Sequence, residues 1–129
     1  MIILDTHIWL WWLNSNETIN KNQLEQIENA SKVGISAISL FEVSWLERHN
    51  RINLPCPKKE WFEKALTGSN IELMPITSEI ACLATDLTEH HSDPQDRIII
   101  ATSVIHDAFL ISSDGKFKLY EELEGKLIK

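Results

Sequence analysis

Met1-Ile2-Ile3-Leu4-Asp5 opens the chain, and Ala108-Phe109-Leu110-Ile111-Ser112-Ser113-Asp114 repeats its plan near the end. In each, a short apolar run with β-branched residues stops at polar residues and a carboxylate. Such a run reads as a strand buried on both faces, the environment of a parallel sheet. Two further runs, 33–36 and 71–74, lie between them, and Leu127-Ile128 offers an additional edge strand. Segments of helical period fill the gaps: 6–13, 18–30, 37–48, 61–66, 78–87 and 94–106. Ile38, Phe41, Trp45 and Leu46 are expected to point inward from the third of these. Thr77 or Ser78 caps the fifth, and Pro94 sits at the first position of the sixth. Residues 14–16 read as a turn, 50–57 as a loop stiffened by Pro55 and Pro57, and the tail from Lys116 as short and charged. Strands alternating with helices at these lengths predict right-handed βαβ units, hence an α/β fold with four or five parallel strands.

The chain of 129 residues has ordinary proportions, 43% hydrophobic and 24% charged, and is expected to form one domain over 1–129. No apolar stretch approaches the roughly 20 residues of a membrane span. The start carries neither a basic segment nor a cleavage site, so no signal peptide is expected and a cytoplasmic location is. Cys56 and Cys82 form no metal-binding or redox spacing and read as free thiols. A net charge of −7 argues against gripping nucleic acid by bulk electrostatics. It leaves room for a nuclease whose acids bind metal, and for a basic protein partner.

Asp5, Glu42, Asp96 and Asp114 fall where strands end or helices start. In open α/β sheets, functional residues gather outside the carboxyl ends of the strands. Carboxylates collected there repel: at about 6 Å and an effective dielectric near 20, each pair costs roughly 3 kcal/mol. Such a cluster points to a divalent cation, and hard oxygen ligands suit Mg²⁺ or Mn²⁺. Each acid also has a structural alternative. Ser39-Leu40-Phe41-Glu42 matches a capping box. In Asp93-Pro94-Gln95-Asp96, Asp93 suits the N-cap and Asp96 the first turn. Asp114 before Gly115 reads equally as a turn residue. Asp5 has only an N-cap role to set against a functional one.

Leu4-Asp5-Thr6-His7-Ile8-Trp9, Ser39-Leu40-Phe41-Glu42-Val43 and His91-Ser92-Asp93-Pro94-Gln95-Asp96-Arg97 resemble the blocks of PIN-domain proteins, in family order. Ile100-Ala101 and Ser112-Ser113-Asp114-Gly115-Lys116-Phe117 extend the resemblance over nearly the whole chain. The subgroup it resembles is the VapC-type toxin ribonucleases of type II toxin–antitoxin pairs. The resemblance implies a three-layer α/β/α domain and metal-dependent cleavage of RNA phosphodiester bonds. It assigns Asp5, Glu42, Asp96 and Asp114 to Mg²⁺ or Mn²⁺ and adds Asp93 as a further acidic position. It places Thr6, Ser112 and Arg97 close enough to support the site or touch substrate. A cognate antitoxin and a homodimer are implied as partners. Two departures stand out: Gln95 replaces the usual Phe of the DPFDR block, and Ser103 stands where small or apolar residues are usual. Neither removes a carboxylate.

Three other functions are weighed against this one. An aspartyl phosphatase resembling haloacid dehalogenases wants a second acid two residues after the strand-end Asp, where this chain has His7. A phospho-receiver module wants an acidic pair after the first strand and a Lys near the last; Asp5 stands without that pair, and the last strand ends in Asp114. A catalytically silent PIN-like module binding RNA or protein is opposed by the intact carboxylates. Among the remaining features, Trp9 and Trp12 fall on one helical face while Trp11 points elsewhere. His7 reads as helix-surface packing, with substrate contact as the alternative. His90-His91 reads as solvent-exposed. Arg97 is divided between an acidic partner and a phosphate. Arg48, Arg51, Lys58 and Lys59 read as a solvated loop region.

Overall fold

A computed structural model of the chain describes residues 1–14, 17–90 and 92–129. Most of the turn expected at 14–16, and His91 of the histidine pair, lie outside the described residues. The elements run β1 (Ile2–Leu4), α1 (Thr6–Leu13), α2 (Lys21–Asn29), β2 (Val33–Ser36), α3 (Ala37–Arg48), α4 (Lys58–Ala65), β3 (Ile71–Met74), α5 (Ser78–Asp86), α6 (Pro94–Ile105), β4 (Phe109–Ile111) and β5 (Leu127–Ile128). The strands form a five-stranded sheet in the order β3-β2-β1-β4-β5, and every pairing is parallel. The expected edge strand at Leu127-Ile128 is therefore present.

Alternation along the strands builds two cores. Ile2, Leu4, Val33, Ile35 and Ile111 pack against Trp9, Ile27, Val43 and Trp61 of the helices on one face. Ile3, Met74 and Leu110 pack against Ile99 and Ile100 of α6 on the other, and α5 rests on α6 through Ile80, Ala84 and Ala101. The result is three layers, α/β/α. Gly34 makes the sheet tight at its centre: a Cβ there would lie 2.5 Å from Ile3 Cδ1 and 3.2 Å from Met74 Cγ. Among the described residues, no helix is long and apolar enough to cross a membrane.

Several expectations are corrected. Helix α2 starts at Lys21, not 18, because Asn20 caps it and shares a reciprocal capping box with Gln23. Helix α4 starts at Lys58, not 61. Phe41 and Trp45, expected inward, are 57% and 52% exposed; Ser39 and Val43 are the buried positions of α3. The tail is more than a charged end. Two 3-10 turns, Phe117–Leu119 and Glu121–Leu123, bury Phe117, Tyr120 and Leu123 in the second core.

The topology fixes where a site can form. From β1 the chain moves outward to β2 and β3 on one side, and β4 and β5 lie on the other. The carboxyl ends of β1 and β4 therefore flank the point where the strand order reverses, where open α/β sheets leave a crevice. Asp5 leaves β1 at that point, and Ser112 to Asp114 leave β4.

Candidate active site

Asp5 stands between strand and helix, and both its oxygens are held. Oδ1 accepts from the backbone N–H of Thr6 at 2.8 Å, which makes Asp5 the N-cap of α1. Oδ2 accepts from Ser112 Oγ at 2.9 Å, across 107 residues of chain. The side chain is only 6% exposed. Burial raises its pKa to about 6, aided by the nearby Glu42 and opposed by the Ser112 hydroxyl, by His7 and by the Thr6 N–H.

Glu42 reaches the crevice from α3, which starts at Ala37 because Ser36 caps it, its hydroxyl accepting from the Ile38 N–H at 3.2 Å. The capping-box reading of Ser39 and Glu42 is thus overturned. Ser39 lies inside the helix, and its hydroxyl shares a 2.8 Å hydrogen bond with Thr6 Oγ1. That fully buried pair fastens the first turn of α1 to α3, and so fixes the approach of Asp5 to Glu42. Glu42 Oε1 is buried without a hydrogen-bond partner among the described residues. A carboxylate oxygen in that condition costs several kcal/mol unless something cationic meets it.

Asp93 caps α6: its Oδ1 accepts from the N–H groups of Gln95 at 2.9 Å and Asp96 at 3.3 Å, with Pro94 in the first turn. The cap sets the first turn from which Asp96 projects. Burial, then the charges of Asp5, Asp93, Asp114 and Glu42 in that order, raise the pKa of Asp96 to about 8. All the expected acids therefore act on Asp96 through space. Asp114 is exposed, and its Oδ1 accepts from the Lys116 N–H at 2.8 Å, closing a local turn. Its own N–H donates to Ser112 Oγ at 3.1 Å.

Asp5, Glu42, Asp93, Asp96 and Asp114 line one cavity of about 390 Å³, together with His7, Ile8, Trp11 and Ser113. Among the described residues, no three His, Cys, Asp or Glu side chains already close on a common point; the acids surround the cavity instead. Their chemistry fits a hard divalent cation. Hard oxygen donors, an orphaned buried carboxylate oxygen and two carboxyls raised by burial and mutual repulsion are all relieved by one positive charge.

Thr6 and Ser112 support the site as described, through Ser39 and Asp5. Arg97 is 7% exposed and donates to the carbonyls of Ala84 (2.9 Å), Leu87 (2.6 Å), Thr88 (3.2 Å) and Thr85 (3.4 Å). It pins the C-terminal end of α5 to α6, a carbonyl-holding task that neither of the two expectations, an acidic partner or a phosphate, had named. Two supporting residues were not anticipated from sequence. Ser39 was hidden behind the capping-box pattern. Gln23, fully buried, donates from Nε2 to Ser113 Oγ at 3.0 Å and so ties α2 to the loop bearing Asp114. Its visible signal was the Asn20-x-x-Gln23 capping pair.

The model of the PIN domain matches residues 2–123. The chain is 30% identical over 118 residues to Ribonuclease VapC22 of Mycobacterium tuberculosis, covering 91% of this chain and 89% of that protein. Among solved structures, a chain of VapBC2 from Rickettsia felis, bound to a DNA fragment from their promoter, superposes with a TM-score of 0.72 at 20% identity. That match covers 99% of this chain and 98% of the other. A chain of a toxin–antitoxin complex from Klebsiella pneumoniae gives 0.66 at 21% identity, covering 100% and 97%. FitAcB from Neisseria gonorrhoeae gives 0.64 at 19% identity, covering 100% and 97%.

Proposed function

The chain belongs to the PIN-domain family, and from that premise we propose that it is an endoribonuclease, dependent on Mg²⁺ or Mn²⁺, acting as the toxin of a toxin–antitoxin pair. The observation that carries this reading is the acidic cavity at the strand-order reversal, where Asp5, Glu42, Asp96 and Asp114 line one wall-to-wall space. A carboxylate-lined cavity repels a phosphodiester unless a cation intervenes. A bound divalent ion supplies charge neutralisation at the phosphate and makes water more acidic.

The chain's own residues divide the work. Asp5 and Asp96 would hold the ion, with Glu42 and Asp114 completing the set of oxygen donors. Asp5 is kept in one rotamer by Ser112 and by the Thr6 N–H. Thr6 and Ser39 hold α1 against α3, so that Glu42 stays opposite Asp5. Asp93 fixes the first turn of α6 and adds negative charge beside Asp96. Burial and the neighbouring acids raise the pKa of the Asp96 carboxyl to about 8, a shift that a bound cation would oppose.

The partners follow from the same surface. A cognate antitoxin places an Arg or Lys in the acidic cavity and competes with metal and substrate; the similar Klebsiella pneumoniae structure is a toxin–antitoxin complex. Phe41 and Trp45, stacked at 6.4 Å and 24° on the outside of α3, suit a homodimer interface. The protein works in the cytoplasm, where RNA is.

RNA cleavage by the purified protein tests the reading. Cleavage is expected with Mn²⁺ or Mg²⁺ and is expected to vanish in excess EDTA and in Asp5→Asn. Undiminished cleavage in EDTA would sink the metal mechanism.

A further inference from the structure

We propose that Trp11, with His7 beside it, forms a stacking wall for the base of a nucleotide flanking the phosphate in the acidic cavity. The inference rests on the nuclease reading and adds how the substrate is gripped: by a base on the Trp11 ring as well as by its backbone.

Residues 7 and 11 are one turn apart on α1 and share a face. Their rings lie 6.1 Å apart, tilted by 36°, and both line the same cavity as the carboxylates. The opposite face of α1 is spent on the core, where Trp9 is fully buried against Trp61 at 5.1 Å. Trp11 is different. One side packs on the core cluster, yet part of its ring remains open at the cavity. His7 is exposed beside it.

Charge explains why such a wall is needed. A protein of net charge −7, with an acidic cavity, draws no polyanion by bulk electrostatics. Base-on-aromatic stacking is independent of that charge and tolerant of sequence, because every base has a π-face. It also selects the strand state. Bases in a duplex are already stacked, and side chains reach only unstacked ones.

The test uses a single-stranded RNA oligomer in Mn²⁺, with the cleaved bond mapped first. Trp11→Leu keeps apolar packing but removes the ring; Trp11→Phe keeps a ring. Loss of one stacked base should raise KM roughly tenfold in Trp11→Leu while kcat stays near wild type, and Trp11→Phe should retain most of the affinity. An abasic nucleotide beside the cleaved bond should raise the wild-type KM similarly and add little in Trp11→Leu. If Trp11→Leu folds poorly, the wild-type abasic arm can still overturn the wall by leaving KM unchanged, and Trp11→Phe, which keeps a ring, serves as the folded variant. Unchanged KM in both arms, or independent effects of variant and abasic site, overturns the wall. So does a Trp11→Leu variant that binds RNA normally but loses its antitoxin, which would give the ring to the protein partner. Wild-type protein that cleaves no RNA at all overturns the nuclease reading and the wall with it.

Discussion

Replacing Asp96 with Asn should make the metal-free protein more stable and inactive. The reasoning starts from its carboxyl, raised to about 8 by burial and by four neighbouring acids. The folded pKa lies above the unfolded value of about 3.8. The folded chain therefore keeps the proton that the unfolded chain gives up. Stability is fully present below the unfolded value, falls as pH rises between the two, and levels off above about 8. Each pH unit in that window removes at most about 1.4 kcal/mol. Asp96 is only half-buried, so solvent screening cuts the total sharply, to about 2 kcal/mol. For a chain of this size, 2 kcal/mol corresponds to roughly 8 °C in Tm. Asn has the same shape and no charge. Thermal melts in EDTA should show Asp96→Asn above wild type by about that margin at pH 8, with the gap closing toward pH 4. With Mn²⁺ the order should reverse, because an ion that binds only the folded state stabilises the protein with the intact ligand set. A gap that is absent at pH 8, or that does not change with pH, would refute the repulsion argument. Persisting RNA cleavage by Asp96→Asn would refute its role as a ligand.

Other expectations are simpler. Asp93→Asn should keep the cap on α6 and melt with wild type while losing part of the activity, whereas Asp93→Ala should lose about 1 kcal/mol; melting and cleavage assays on both separate the cap from the charge. Ser112→Ala removes the hydroxyl that lowers the Asp5 pKa, so the acid limb of the pH–rate profile should move upward and stability should fall by about 1 kcal/mol. An unmoved acid limb would show that Asp5 does not limit the rate. Arg97→Lys cannot reproduce a guanidinium fork on four carbonyls and should cost roughly 3 kcal/mol, measured by urea unfolding. An equally stable Lys variant would remove Arg97 from the account of how α5 is held.

β1, β2 and β3 fall where the sequence puts them; β1 and β2 are buried along their whole length, while β3, at the sheet edge with Glu72 and Leu73 exposed, was marked instead by Ile71, Leu73 and Met74 running into Pro75. Helix α3 kept its limits, and Ile38 and Leu46 pack against the cores as expected, but half of the expected inward face did not hold. The reading sent the large apolar side chains Phe41 and Trp45 inward, yet the small Ser39 and Val43 face α1, since a close helix contact needs small side chains. Which stripe of a helix is buried depends on the neighbour it meets, and that is not a local property. The tail was misjudged for a related reason. Phe117, Tyr120 and Leu123 recur every three residues, the period of 3-10 turns, and the charged residues between them mask the pattern.

The site tests whether a carboxylate at a helix start is structural or functional, and the geometry shows that this choice is often false. Asp5 caps α1 with Oδ1 and receives Ser112 on Oδ2. Asp114 closes its own turn with Oδ1, and Asp93 caps α6 with one oxygen as well. A carboxylate has two oxygens and about four lone-pair positions, so a backbone bond that orients the group leaves capacity for an ion. The local grammar that recommended a bland reading is therefore also what preorganises the acids. Glu42 is the exception that sharpens the point. Its expected capping partner, Ser39, lies inside the helix that Ser36 caps, and among the described residues no hydrogen bond claims its buried Oε1. With no local bond to offset the cost of burying that oxygen, Glu42 is the acid whose placement fits the proposed cation best.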